Sequence, residues 1–235
     1  MEIFKLIGKL SIDGLPQAES AMSKIGGAAT KMGKVVAAGV AAGAAAITKM
    51  AKDAVDSYAE YEQLVGGVET LFKESGDKVQ EYAQNAYKTA GMSANEYMET
   101  VTSFSASLIQ SLDGDTAAAA EVANRAIIDM SDNANKMGSS MESIQNAYQG
   151  FAKQNFTMLD NLKLGGTKTE MERLIADAAK MKGIQEELGV TVDANSLSFD
   201  NIANAISVVQ KNMGIANATA EEADTTIQGS AASMK

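Results

Sequence analysis

The stretch KQNFTMLDNLKLGGTKTEMERL (Lys153–Leu174) gathers residue types that cradle phosphate: paired glycines, then threonine, lysine and threonine. Its spacing is wrong for that chemistry. A phosphate-binding loop needs a glycine directly before its lysine and another five residues earlier, so that successive backbone N–H groups wrap the phosphates. Here Thr167 precedes Lys168, no strand-like apolar run leads in, and no GxGxxG lies nearby. MSDNANKMG (Met130–Gly138) has the Asp/Asn density of a calcium loop. Counted from Asp129, however, Ala134 stands where such a loop needs glycine, and Ser140 where it needs glutamate. Asp113 as a first ligand also lacks the closing glutamate. Ser75 and Lys78 have the S-x-x-K spacing of some nucleophilic serines, but in ESGDK they read as an exposed turn. Acidic residues are plentiful, yet sequence alone singles out no pair as acid and base. The chain contains no Cys and no His, which removes thiol nucleophiles, histidine triads and the usual zinc ligand sets. No catalytic residue, cofactor site or metal site is therefore expected.

The same stretches are better explained as helix punctuation. Thr167 and Glu170 are spaced as a capping box, in which hydroxyl and carboxylate each cover an orphan backbone N–H. Thr169 and Glu172 offer the same box two residues on. Met171, Leu174, Ile175, Ala178 and Met181 then recur at helical spacing, with Gly183 read as the close. Gly165 and Gly166 are expected to end the short helix before them, because positive φ is cheap for glycine. Ser93 with Glu96, and Ser139 with Glu142, make two further boxes. The first opens a helix carrying Met98, Val101, Phe104, Leu108 and Leu112. The second opens one carrying Met141, Ile144, Tyr148 and Phe151. Between them a helix with Val122, Ile127, Met130, Ala134 and Met137 on one side runs to Gly138. Residues 189–198 (GVTVDANSLS) read as a loop. Phe199, Ile202, Ile206, Val209 and Met213 then step by threes and fours, as in a short coiled-coil seam.

The N-terminal part differs. Phe4, Leu6, Leu10 and Ile12 alternate with Lys5, Lys9 and Ser11, the pattern of a short strand, and Asp13-Gly14 turns the chain. From Gln17 to about Leu64 the pattern is helical. Inside it, VVAAGVAAGAAAI (Val35–Ile47) is uncharged, and Gly39 and Gly43 give the small-xxx-small spacing that lets helices approach closely. Val35, Gly39, Gly43 and Ile47 thus mark a close-packing or membrane segment. Thirteen residues of helix rise about 20 Å, short of a hydrocarbon core of about 30 Å. Helix-to-helix packing is the favoured reading.

With one proline, abundant alanine and methionine, and few aromatics, the chain is expected to be all-α, an extended series of amphipathic helices preceded by the short strand. Many small side chains suggest slender helices meeting along narrow seams. Charge is uneven. Residues 1–52 hold seven Lys against three acids, net +4; the remainder holds thirteen basic against twenty-seven acidic, net −14, giving −10 overall. An acidic body with two Arg disfavours nucleic acid as a partner, because phosphate contacts need Lys and Arg.

Taken together, MSANEYMETV (Met92–Val101), the long block Met130–Ile175 and GVTVDANSLSFDNIANAI (Gly189–Ile206) resemble the N-terminal region of tail tape measure proteins of long-tailed phages and prophages. IGKLSIDG (Ile7–Gly14) and the alanine-glycine helix after it fit the same pattern. The resemblance covers most of the chain, with one departure: relatives commonly carry a tyrosine-glycine pair in the loop that here reads LKLGGTK, so this loop is shorter.

The resemblance implies a structural virion protein that lies in the tail-tube lumen, sets tail length, and leaves ahead of the DNA at genome ejection. Before that it would be held in the host cytoplasm by tail assembly chaperones. Implied partners are the tail tube protein, the chaperones, tail tip proteins and sister copies, with the host membrane met on ejection. The chain would be an N-terminal fragment of a longer ruler. Four segments are expected: 1–15, strand and turn; 16–64, the Ala/Gly-rich long helix; 65–188, the helical core block; and 189–235, a loop and helices leading onward. A membrane-active or pore-forming helical protein is the alternative, and a peptidoglycan-degrading module a third class.

Overall fold

The computed structural model of the chain describes residues 59–225, and side chains through 222. The expected strand at 2–12, most of the 16–64 helix, and Val35, Gly39, Gly43 and Ile47 lie outside the described residues.

Within the described residues every regular element is helical. Helix α1 covers residues 59–72 and runs straight through Gly66 and Gly67, so the expected boundary at 64/65 is not a break. Glycine weakens a helix interior, but Val68 and Phe72 on the following turns are fully buried and hold it. Gly67 also passes close to Thr102: a Cβ there would stand 3.9 Å from Thr102 Cγ2. The break comes at Lys73, which adopts a left-handed φ of 51°. A 3-10 turn, Lys73–Ser75, then leads into α2, Gly76–Thr89. There follow α3 (Ala94–Ser111), α4 (Thr116–Met137), α5 (Met141–Ala152), a 3-10 turn (Leu159–Leu162), α6 (Lys168–Ala178), α7 (Lys182–Leu188), α8 (Phe199–Asn212) and α9 (Ala218–Thr225).

The helix starts are chemical. Ser93 and Glu96 form a complete capping box: the Glu96 N–H donates to Ser93 Oγ (3.3 Å), and the Ser93 N–H donates to Glu96 Oε2 (2.9 Å). Asp115 accepts from the N–H groups of Ala117 (3.0 Å) and Ala118 (2.9 Å). At α5 the cap is Ser140, not Ser139. Ser140 Oγ accepts from the Ser143 N–H at 3.2 Å, while the Ser139 hydroxyl donates to Asn161 O at 2.6 Å and ties the helix start to the 3-10 turn. Glu142 stands exposed in the first turn. With two adjacent serines a one-residue slip costs nothing in the pattern, and the distant partner Asn161 decides it. Ser140→Ala is expected to cost about 1 kcal/mol, whereas Ser140→Asn should leave the urea midpoint unchanged, since asparagine caps as well as serine. Equal losses in both variants would remove Ser140 from the cap.

The apolar stripes converge. Met98, Val101, Phe104 and Leu108 of α3, Val122, Ile127 and Met130 of α4, Ile144, Tyr148 and Phe151 of α5, and Met171, Leu174 and Ile175 of α6 all enter one hydrophobic core. Small residues on α2 (Ala83, Ala86) let it lie close against α3. Ring packing adds shape: Phe104 meets Phe199 edge-on at 5.8 Å, and Phe151 sits 5.7 Å from Tyr148 and 6.4 Å from Phe156.

This core corrects the expectation of narrow seams. Helix α8 is not one half of a coiled-coil seam. Phe199, Ile202, Ala203, Ala205, Ile206 and Val208 are buried, as are the polar Asn201, Ser207 and Gln210, so nearly its whole circumference is covered. A helix covered all round is a central helix, and α8 packs against α3, α4, α5, α6 and α7. Val209 is only partly buried and Met213 is 46% exposed, so the seam ends before its predicted last member. The expected boundary between 188 and 189 therefore falls inside one folded body, and residues 189–212 complete the core that 65–188 begins. Among the described residues, Met158 and Met213 are the large apolar side chains exposed to solvent.

Candidate functional site

The loop that suggested phosphate chemistry is built as a cap. The Thr167 hydroxyl oxygen accepts from the Glu170 N–H (3.2 Å) and donates to Glu170 Oε2 (2.9 Å). The Glu170 carboxylate accepts in addition from the Gly166 N–H at 2.8 Å. These bonds, led by the one from Gly166, hold the Glu170 pKa below its ordinary value. The glycines divide the work. Gly165 adopts φ +130°, where a Cβ would also come within 2.8 Å of Glu170 Cβ, and Gly166 supplies the N–H. The left-handed residue ending the 3-10 turn is Lys163, φ 60°, and not a glycine. Gly183 lies inside α7 and ends nothing; α6 stops at Ala178. Ser75 and Lys78 turn to α4 instead of to each other. Ser75 Oγ lies 3.1 Å from Thr116 Oγ1, and Lys78 Nζ lies 2.6 Å from Glu121 Oε1.

The strongest concentration of buried polar chemistry is on α4, in the segment that resembled a calcium loop. It is not a loop: Asp129, Ser131, Asp132 and Asn133 continue the helix, and all are buried. Asp129 and Asp132 stand three residues apart, on one face. Both line a cleft of about 340 Å³, together with Tyr82, Arg125, Ser207 and Lys211. Ser207, from the central helix, donates its hydroxyl hydrogen bond to Asp129 Oδ2 and also contacts Ala203 O at 3.1 Å. Asp132 is fully buried and accepts the Asn217 N–H (2.6 Å) and the Thr219 N–H (2.8 Å). Arg125 donates to Asn204 Oδ1 at 2.9 Å, and Lys211 pairs with Glu187 at 2.9 Å.

Burial dominates the electrostatics. Desolvation pushes the Asp129 carboxyl up to about 7 against the opposing pull of Ser207 and Arg125, and the Asp132 charge adds to the rise. Desolvation likewise raises Asp132, offset in part by the two backbone N–H bonds. Arg125 is lowered by burial, and the Tyr148 hydroxyl is raised well above its usual value by burial and by the Asp129 charge. A carboxyl titrating near neutrality in a cleft has the pKa of a general base. Its surroundings are those of a structural knot, however. Ser207 is 2% exposed, and Asp132 is committed to two backbone donors. Among the described residues no group of three or more His, Cys, Asp or Glu side chains is placed to hold a metal ion.

Sequence reasoning passed over this knot, and over two side-chain amides that fix the 189–198 loop. Asn201 Oδ1 accepts the Asp193 N–H (2.8 Å), while its Nδ2 donates to Asp193 O (2.9 Å) and Ser196 O (2.7 Å). Gln185 donates to Ala178 O (2.8 Å) and accepts the Val192 N–H (3.1 Å). The only available signal was polar residues on apolar positions of a helical pattern, as at Asp129, Asn201 and Ser207.

Compared with family models, curated proteins and solved structures, the chain matches none. Among the described residues no helix is long and apolar enough to cross a membrane.

Proposed function

We propose that this chain is part of a tail tape measure protein of a long-tailed phage or prophage, and that residues 59–225 act within it as a folded anchor and not as measuring rod. One observation carries the reading. The three separate stretches that resemble tape measure proteins, Met92–Val101, Met130–Ile175 and Gly189–Ile206, fall on α3, on α4 through α6, and on the loop and central helix α8, all of which share one core. Sequence likeness scattered over a hundred residues is expected when those residues fold together. The anchor role follows from dimensions. As one continuous helix, residues 59–225 would reach about 250 Å, whereas a packed body of this chain length spans about 40 Å. Packing the residues into a core forfeits most of their length.

In this role the body binds by surface, in the virion and in the cytoplasm before it. Its partners are the tube protein, tip proteins, assembly chaperones and sister copies, and it carries out no catalysis. Tail particles from the producing strain are expected to yield peptides from residues 59–225 by mass spectrometry. In-frame removal of those residues is expected to abolish tails, not to shorten them. Normal tails after that deletion, or particles free of these peptides, overturn the proposal. The membrane-active alternative rests on Val35–Ile47 and would show as partitioning of the intact chain into liposomes.

A further inference from the structure

Helix α9 is attached largely through hydrogen bonds. It has eight residues, and of those with described side chains only Ala218 is buried. An isolated helix of this length is not stable in water, so α9 is helical because it is docked. Its docking is polar. The N–H groups of Asn217 and Thr219, at its start, donate to the Asp132 carboxylate on α4, which therefore serves as an N-cap supplied from a remote helix. The Ser131 hydroxyl bridges Ala90 O (2.7 Å) and Thr219 Oγ1 (3.1 Å), and Asn135 donates to Glu222. The chain enters α9 through Asn217, a non-glycine residue at a left-handed φ of 67°, just beyond Ile215, which is buried. Asparagine tolerates that conformation better than most other non-glycine residues, which suits it to this turn.

The place α9 covers is also defined. Thr219 lies against Gly91, where a Cβ would stand 3.1 Å from Thr219 Cγ2. Ala90, Gly91 and Ser131, the residues beneath Thr219, form one wall of a second cleft, of about 490 Å³, whose other walls include Glu96, Glu99 and Gln145. The head of α9 rests against the Gly91 and Ser131 part of that wall.

We propose that α9 is a clasp: it swings out as a unit about Ala216–Asn217 while the core stays folded, and its closure is held by Asp132. This does not depend on the tail-protein reading.

Hydrogen exchange resolved by residue tests it on the intact chain. Amides of 217–222 are expected to exchange at least tenfold faster than those of α4 and α8, with little dependence on low urea, the mark of local opening. Asp132→Asn should speed the α9 amides by about a further tenfold and leave α3 and α5 amides unchanged. Because that variant can also weaken the core, a second one isolates the clasp. The chain has no cysteine, so Ser131→Cys with Thr219→Cys places a single pair across the contact. Oxidation should bring the α9 amides to the rate of the α4 amides, and reduction should release them. If α9 in the parent chain exchanges at the rate and urea dependence of α8, or if the oxidised pair leaves α9 exchange unchanged, α9 is no clasp.

Discussion

At pH 8 the Asp129→Asn variant is expected to be more stable than the parent chain by about 4 kcal/mol, and the gap should shrink to under half of that at pH 5. The direction follows from proton counting. In the unfolded chain Asp129 ionises at its ordinary value of 3.8; folded, it keeps its proton up to about 7. Between these limits the folded state binds more protons, so its stability is full below about 4 and is lost as pH rises to about 7. A rise of about three units corresponds to about 4 kcal/mol at 1.36 kcal/mol per unit. The introduced amide oxygen still accepts from Ser207, and nothing remains to ionise. With a urea slope of about 1–3 kcal/mol per molar, the midpoint at pH 8 should move up by about 2 M. Identical midpoints at pH 8 would mean that Asp129 is hydrated in solution and that the knot is looser than the packing of α4 on α8.

The second large effect concerns α8. Ile202→Ala combined with Ile206→Ala is expected to leave the body largely unfolded at 25 °C. Both side chains are fully buried, and each such truncation costs about 2–5 kcal/mol. Their sum is comparable with the whole stability of an ordinary domain, about 5–15 kcal/mol. In-frame loss of Phe199–Met213 should act in the same direction and more strongly. In a rod that deletion would remove roughly 20 Å and leave the other helices intact. In this body it removes the element on which α3, α4, α5, α6 and α7 all pack. Circular dichroism should show the cooperative melt lost in both variants. A deletion chain that still melts sharply would place the core elsewhere.

Much of this architecture was legible because helices write their own periodicity. Met98, Val101, Phe104 and Leu108, or Met171, Leu174, Ile175 and Ala178, were visible as stripes and are buried as stripes. Local caps were legible for the same reason: Ser93 with Glu96 and Thr167 with Glu170 act within one turn. What could not be read was anything decided by a partner far along the chain. Ser140 outcompetes Ser139 because Asn161 takes the latter. Asp129 and Asp132 look like solvated or metal-binding residues until Ser207 and the backbone of Asn217 and Thr219 are brought to them. The thickness of the core was hidden too, since a stripe says that a helix face is covered but not by how many neighbours. Asn201 and Ser207 were the warning on α8: polar residues flanking apolar ones made it look half-exposed, when they are buried and hydrogen-bonded.

The central position of α8 also sets an order of events on the ribosome. α3, α4 and α5 are complete by Ala152, yet the helix that fills the space among them starts only at Phe199. At about 5–20 residues per second, synthesis from the end of α5 to the end of α8 takes about 3–12 s, before the delay in the exit tunnel is added. Throughout that interval Phe104 lacks its ring partner Phe199, and the parts of α3, α4 and α5 that α8 will cover stay open. Helices themselves form in about a microsecond, so the nascent chain waits as a set of finished helices with an open apolar trough. A holding factor that shields this trough would be needed for seconds, and the arrival of α8 would displace it.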